Sequence, residues 1–212
     1  MSGGHQLPAV GREALSTERA DLLEMLHRFT AERTAAAERG RAAVLRDGPE
    51  ASACLHAFLR ECWEALDGLG REVNLCMHSV FPGAGLYEPL EMTRQCTFYM
   101  VRKILRENPR TRDHPVARLL WYRTRKRPGA PYRRLSFLYN LSLFFPVSPV
   151  DEKTLPGTAE IHATARRIVK PQSVEACDLD EGLAQIHRWL AEFLEECYGR
   201  LADALREGPP TR

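Results

Sequence analysis

Hydrophobic residues recur at helical spacing along most of this chain. Between residues 55 and 76 they are separated alternately by four and three positions, as in a helix that buries one stripe against a neighbouring helix: Leu55, Leu59, Cys62, Leu66, Leu69, Val73 and Cys76. A similar stripe follows Asp178 and Glu181, which form a capping signal for a C-terminal helix. The pattern predicts two long amphipathic helices.

Prolines, glycines and capping residues divide the rest of the chain into further helices. The pattern predicts long helices over residues 17–46, 50–78, 87–108 and 179–207, with Pro89 in the first turn of the third. A shorter helix is predicted at 114–127, and 132–147 is either a short helix, which we favour, or a strand. The predicted fold is therefore all-α, a helical bundle of four long helices plus one or two short ones, with a strand-like segment near 158–169 as an open alternative.

The length of 212 residues and 44% hydrophobic composition suit one domain with a single core. We predict a disordered lead at residues 1–15, a helical-bundle domain at 16–207 and a disordered tail at 208–212. No internal repeat and no glycine-rich phosphate loop is present, so we expect no cofactor.

The cysteines and the apolar runs bear on the chemistry and location of the protein. The six cysteines show no Cys-x-x-Cys pair, which favours buried reduced thiols over a metal site. No apolar run is long enough for a signal peptide or a membrane span. The sequence therefore predicts a soluble, cytoplasmic protein without a bound metal.

Basic charge is concentrated in one part of the chain. Net charge is only +2, yet residues 102–134 hold twelve Lys and Arg against Glu107 and Asp113. Cations beside aromatic rings can hold a phosphate backbone while a ring stacks on a base. This predicts binding of RNA or an acidic protein partner by Arg118, Trp121, Tyr122, Arg123, Arg125, Lys126, Arg127, Arg133 and Arg134. The alternative is a solvated basic helix whose Trp121 packs in the core.

The second predicted helix carries a continuous polar stripe opposite its hydrophobic one: His56, Arg60, Asp67, Arg71, Asn74 and His78. An ordinary amphipathic helix would turn this face to water. As an alternative, His78 could act as general acid or base on RNA while Arg71 stabilises phosphate charge. The two residues are about 10.5 Å apart along the helix axis. Both could therefore contact one phosphate only if the long Arg71 side chain leans toward His78, or if two helices of a dimer contribute one residue each.

The same helix carries a family resemblance. Residues 58–74, FLRECWEALDGLGREVN, resemble the A-L-D-x-L-x-x-E-[IV]-N helix of HEPN-like bacterial proteins, which are helical bundles found in RNases, toxin–antitoxin pairs and defence systems. The resemblance implies an Arg and a His on a later helix. There, Tyr139 stands in the place of Arg, Asn140 matches the polar position and Phe144 replaces His.

Two hypotheses follow from the residues and the resemblance. The first is a non-catalytic HEPN-like module that binds RNA or a protein partner in a defence or toxin–antitoxin setting. The second is a metal-independent RNase that uses Arg71 and His78 across a dimer. Trp63, Leu75 and Met77 flank the polar stripe, which suggests a homodimer that pairs through this face. We expect no membrane partner.

Overall fold

The computed structural model describes residues 15–46, 51–89, 92, 95–125, 127–150, 153–160 and 174–208. Within these ranges the chain forms six helices and one two-stranded antiparallel sheet. The helices are α1 Thr17–Val44, α2 Ala51–Val80, α3 Phe98–Glu107, α4 Pro115–Arg123, α5 Pro131–Ser142 and α6 Leu179–Glu207. The strands are β1 Thr154–Leu155 and β2 Cys177–Asp178. The predicted all-α fold is confirmed.

The helices with the clearest hydrophobic stripes begin and end close to their predicted bounds. The predicted cap of α6 is present, because Asp178 Oδ1 accepts the backbone N–H of Glu181 at 2.9 Å. The helical alternative for residues 132–147 is confirmed by α5, which ends earlier, at Ser142. Prediction from local periodicity and capping therefore succeeded for these elements.

The predicted third long helix is wrong over the described residues of its first half, 87–89, 92 and 95–97. It begins at Phe98, where Thr97 is the N-cap and its hydroxyl accepts the N–H of Met100. Upstream, the side chain of Asn74 binds both the N–H and the carbonyl of Tyr87, each at 2.9 Å. Because those backbone groups bind α2, they are not used in a helix around Pro89. The described residues hold three long helices and three short ones.

Several predictions fall outside the described residues. They concern most of the disordered lead, four residues of the C-terminal tail and residues 161–169 of the strand-like alternative. The observed strands lie on either side of that segment, at 154–155 and 177–178.

The chain divides into two compact units. The first holds the described residues of Met1–Glu32, Glu64–Arg123 and Glu192–Arg212; the second holds those of Arg33–Trp63 and Thr124–Ala191. Helices α1, α2 and α6 each contribute residues to both. The single-domain assignment stays a prediction.

The core of the first unit forms around the apolar stripe of α2, where Leu66, Leu69 and Val73 are fully buried. Phe98, at the start of α3, meets Phe193 of α6 edge-on, with ring centres 5.9 Å apart. Gly70 allows this approach, since a Cβ there would lie 2.6 Å from Cα of Phe98. Gly70 therefore marks a close backbone contact between α2 and the start of α3.

The second unit has its own buried apolar residues and aromatic contacts. Trp63 stacks flat on Tyr139, with ring centres 4.6 Å apart, and Tyr132 of α5 lies 5.6 Å from Trp189 of α6. The sheet pairs Leu155 with Cys177, and Leu155 is completely buried. Across both units, none of the helices described is long and apolar enough to cross a membrane.

Replacing Gly70 with Ala should lower the free energy of unfolding by about 1–3 kcal/mol, because the new methyl group collides with the backbone of Phe98. The matched control is Gly199→Ala in α6, where a Cβ meets no atom within 4 Å. There the higher helix propensity of Ala should stabilise the protein by up to about 1 kcal/mol. Urea unfolding of both variants measures the difference, and equal stabilisation would contradict the close contact.

Candidate functional site

The polar stripe of α2 binds other segments of the same chain. Asp67 Oδ1 accepts the N–H of Phe98 at 2.9 Å, which satisfies a donor in the first turn of α3. Asn74 is completely buried and holds Tyr87 by two hydrogen bonds. These two predicted site residues therefore position the chain that follows α2.

Arg71 and His78 have separate surroundings. The guanidinium carbon of Arg71 lies 5.8 Å from the ring centre of Phe29. His78 Nε2 lies 3.5 Å from a carboxylate oxygen of Glu88, while its Nδ1 is buried without a hydrogen-bond partner in the described chain. No recorded contact joins Arg71 to His78, so the RNase hypothesis stays a prediction that these contacts do not support.

The part of the stripe in the second unit also has intrachain partners. His56 Nε2 lies 2.7 Å from the carbonyl oxygen of Ser142, and Arg60 pairs with Glu61 at 3.2 Å. Leu75 and Met77, which suggested a dimer face, are completely buried within the chain. The homodimer stays a prediction, and these residues no longer argue for it.

The positions aligned with the family's catalytic residues have apolar or structural contacts. Tyr139 stacks on Trp63, and Asn140 donates its amide to the carbonyl of Ser136. Phe144 follows the end of α5 and is 59% exposed. Tyr139 lacks the guanidinium group of the expected Arg, and Phe144 lacks the imidazole of the expected His.

A buried polar cluster in the first unit was missed in the sequence. The carboxylate of Glu72 is completely buried and accepts hydrogen bonds from the hydroxyls of Thr30 and, at 3.2 Å, Tyr198. Nδ1 of His27 also lies 3.2 Å from this carboxylate. The cluster joins α1, α2 and α6. Glu72 is three residues after Leu69 and four before Cys76, so a charged residue within an apolar stripe was the available signal.

Glu72 and burial together suppress ionisation of the neighbouring groups. Burial, reinforced by the Glu72 carboxylate, holds the pKa of the Tyr198 hydroxyl well above its usual value. The same two causes, in the same order, raise the pKa values of the Cys76 and Cys197 thiols. All six cysteines are free, and four of them are buried. Protonated buried thiols are poor nucleophiles, so the cluster is structural.

A second group of side chains forms an exposed surface on the first unit, where α3 packs against α4. The guanidinium carbon of Arg106 lies 3.3 Å from the ring centre of Trp121, and that of Arg102 lies 5.6 Å from the rings of both Trp121 and Tyr99. Tyr99 is 53% exposed and Tyr122 is 61% exposed. We call this the aromatic–arginine surface: Tyr99, Arg102, Lys103, Arg106, Trp121 and Tyr122.

Only part of the predicted basic segment belongs to this surface. Arg118 pairs with Asp113 at 3.1 Å, and this hydrogen bond lowers the pKa of the Asp113 carboxyl. Arg123 lies 3.5 Å from both Glu192 and Glu196, so its charge is partly neutralised. The remaining predicted cations that are described lie in the second unit: Arg125, Arg127, Arg133 and Arg134. Lys126 lies outside the described residues.

The sequence did not predict the α3 residues of the surface as site residues. Arg102, Lys103 and Arg106 were included only in the basic charge of residues 102–134. Tyr99, Arg102 and Arg106 follow one another at spacings of three and four, which places them on one helix face. That spacing was a usable signal. Trp121 is half-buried against the two arginines, whereas its neighbours Leu119 and Leu120 are the residues that enter the core.

Comparison with known proteins adds no relative. No protein-family model matches the chain, and no curated protein or solved structure matches it. Within the described part of the chain, no three His, Cys, Asp or Glu side chains are grouped to hold a metal ion.

The Asp67→Asn variant should be more stable than the natural protein at neutral pH. Burial raises the pKa of the Asp67 carboxyl, only partly opposed by the Phe98 N–H and by Arg71. A raised folded-state pKa means that the protonated form favours folding, and this contribution is lost as pH rises through the folded pKa. The variant's advantage should therefore shrink as pH falls through the raised folded-state pKa, and it should be gone below the usual Asp value of about 3.9. Urea unfolding from pH 3 to 7 checks it, and a pH-independent difference would contradict it.

Truncating Glu72 to Ala should destabilise the protein by about 3–5 kcal/mol, because His27, Thr30 and Tyr198 lose their common acceptor. Tyr198→Phe removes one donor to the carboxylate and should cost about 1.5–3 kcal/mol. The double variant should lose less stability than the sum of the two single losses, since both substitutions disrupt one network. Additive losses in denaturant unfolding would show that Tyr198 and Glu72 are not coupled.

Proposed function

We propose that this chain is a non-catalytic helical module that binds single-stranded RNA through the aromatic–arginine surface of its first unit. The observation that carries the proposal is the exposure of Tyr99 and Tyr122 beside two guanidinium groups stacked on Trp121. Exposed rings beside fixed cations offer stacking faces and phosphate ligands together.

Two cations of this surface, Lys103 and Arg106, are available for an anionic ligand. Neither Lys103 nor Arg106 forms an ion pair with an acidic side chain in the described residues, in contrast to Arg118 and Arg123. Stacking on Trp121 fixes the plane of the Arg106 guanidinium. A guanidinium held in one orientation loses less conformational freedom when it binds phosphate.

The exposed rings favour single-stranded RNA over a double helix or an acidic protein. In a duplex, the faces of the bases are covered by their neighbours, whereas unpaired bases can stack on aromatic side chains. An acidic protein would neutralise the cations but would leave the faces of Tyr99 and Tyr122 without planar partners. RNA uses both features of the surface.

The HEPN-like identity and a role in a defence or toxin–antitoxin module are part of the same proposal. Its support is the all-α fold, together with the internal contacts made by Glu72 and Asn74 of the resembling helix. Binding without cleavage agrees with Tyr139 and Phe144 at the positions of the expected Arg and His.

Fluorescence anisotropy with a labelled single-stranded RNA should show binding that weakens as salt rises. Arg106→Gln should weaken binding and reduce the slope of log affinity against log salt by about 0.7, the value for one phosphate contact on a single strand. Tyr122→Ala should weaken binding by about 1–3 kcal/mol, as expected for loss of one stacked base, without changing that slope.

Two matched variants serve as controls. Arg200→Gln removes an exposed arginine from α6, and Phe144→Ala removes a ring that is exposed to a similar degree, 59%. Both should bind RNA as the natural protein does. Absence of binding at low salt, or equal losses in Arg106→Gln and Arg200→Gln, would refute this surface. Binding of an acidic peptide with no RNA binding would assign the surface to a protein partner.

A further inference from the structure

A separate cavity of about 290 Å³ opens on the second unit. One wall is the turn 128–130 with the first turn of α5, which supplies Arg133 and Arg134. The opposite wall is formed by Val174 and Glu175. The volume lies at the lower end of the range of small-molecule sites, so the cavity suits a compact ligand.

Both walls of the cavity are held in place by contacts of their own. Thr158 accepts the N–H of Val174 through its hydroxyl at 2.8 Å and donates its own N–H to the carbonyl of Val174 at 2.7 Å. Behind this wall, a Cβ on Gly157 would collide with the backbone of Val174 and Ala176. On the other side, Tyr132 packs against Trp189 and anchors the first turn of α5. The cavity is therefore a built feature of the second unit.

Two arginines and a glutamate are among the residues that line the cavity: Arg133, Arg134 and Glu175. Arg134 donates from its NH1 group to Gln185 at 3.2 Å, but its Nε is buried and has no acceptor among the described residues. Arg134 and Glu175 each form no ion pair in that part of the chain. An arginine that lines a cavity without an ion pair favours an anionic ligand, and guanidinium groups match the geometry of phosphate oxygens.

We propose that this cavity binds a small sugar phosphate. Arg133 and Arg134 bind the phosphate group, and Glu175 accepts hydrogen bonds from sugar hydroxyls. The Glu175 carboxylate repels a ligand that is negatively charged along its whole length. A ligand with one anionic end for the arginines and one hydroxylated end for Glu175 suits this lining. This site shares no residue with the aromatic–arginine surface and is independent of the proposed function.

Isothermal titration of the full chain with ribose 5-phosphate, inorganic phosphate and ribose tests the proposal. Ribose 5-phosphate should bind more tightly than inorganic phosphate, and ribose should give no signal. Arg134→Gln should weaken binding of ribose 5-phosphate at least tenfold, and Glu175→Gln should reduce its advantage over inorganic phosphate. Arg125→Gln, a nearby exposed arginine that does not line the cavity, should bind within twofold of the natural protein.

Arg134→Lys keeps the charge but removes Nε, so it should also weaken binding, and it provides a second variant if Arg134→Gln fails to fold. Absence of ribose 5-phosphate binding at millimolar concentration would overturn the proposal, as would equal effects of Arg134→Gln and Arg125→Gln. RNA affinity of Arg134→Gln, measured in parallel, should stay unchanged. Loss of RNA binding alone would contradict the proposed function and leave the cavity site standing.

Discussion

A carboxylate cannot remain buried among apolar side chains unless hydrogen-bond donors surround it, and Glu72 imposes this requirement on three helices. Thr30 and His27 come from α1 and Tyr198 comes from α6, so satisfying one charge fixes the rotation of both helices against α2 in the first unit. An apolar residue at position 72 would tolerate several rotations of these helices. The network thus specifies one arrangement of three helices whose contact surfaces are otherwise mainly apolar.

The polar side chains further along α2 extend this control to the segments that follow it. Asn74 holds the backbone at Tyr87, and Asp67 satisfies the first turn of α3 at Phe98. Gly70 lets that turn approach the surface of α2. Two residues of the stripe that suggested a catalytic face therefore help to place α3, and α3 carries four of the six residues of the aromatic–arginine surface.

Burial separates the polar groups that stabilise this fold from those suited to binding. The Glu72 carboxylate is completely buried, and burial raises the pKa values of the Cys76 and Cys197 thiols, which makes these thiols poor nucleophiles. Tyr99, Tyr122 and Arg106 are exposed, and no structural ion pair among the described residues uses the charge of Arg106. The exposed set is therefore the better basis for a functional proposal.

The sequence by itself determined α1, α2 and α6, because apolar spacing and helix-terminating residues depend only on nearby residues, whereas it favoured a helix at α5 but left a strand open. It also located the basic and aromatic residues, including Trp121 and Tyr122. It could not place the start of α3, the clustering of Glu72 with Tyr198, or the stacking of Arg102 and Arg106 on Trp121. The cavity beside Arg134 was equally beyond reach. Each of these depends on contacts between residues distant in the chain, and only tertiary packing decides whether a polar side chain meets water or another segment's backbone.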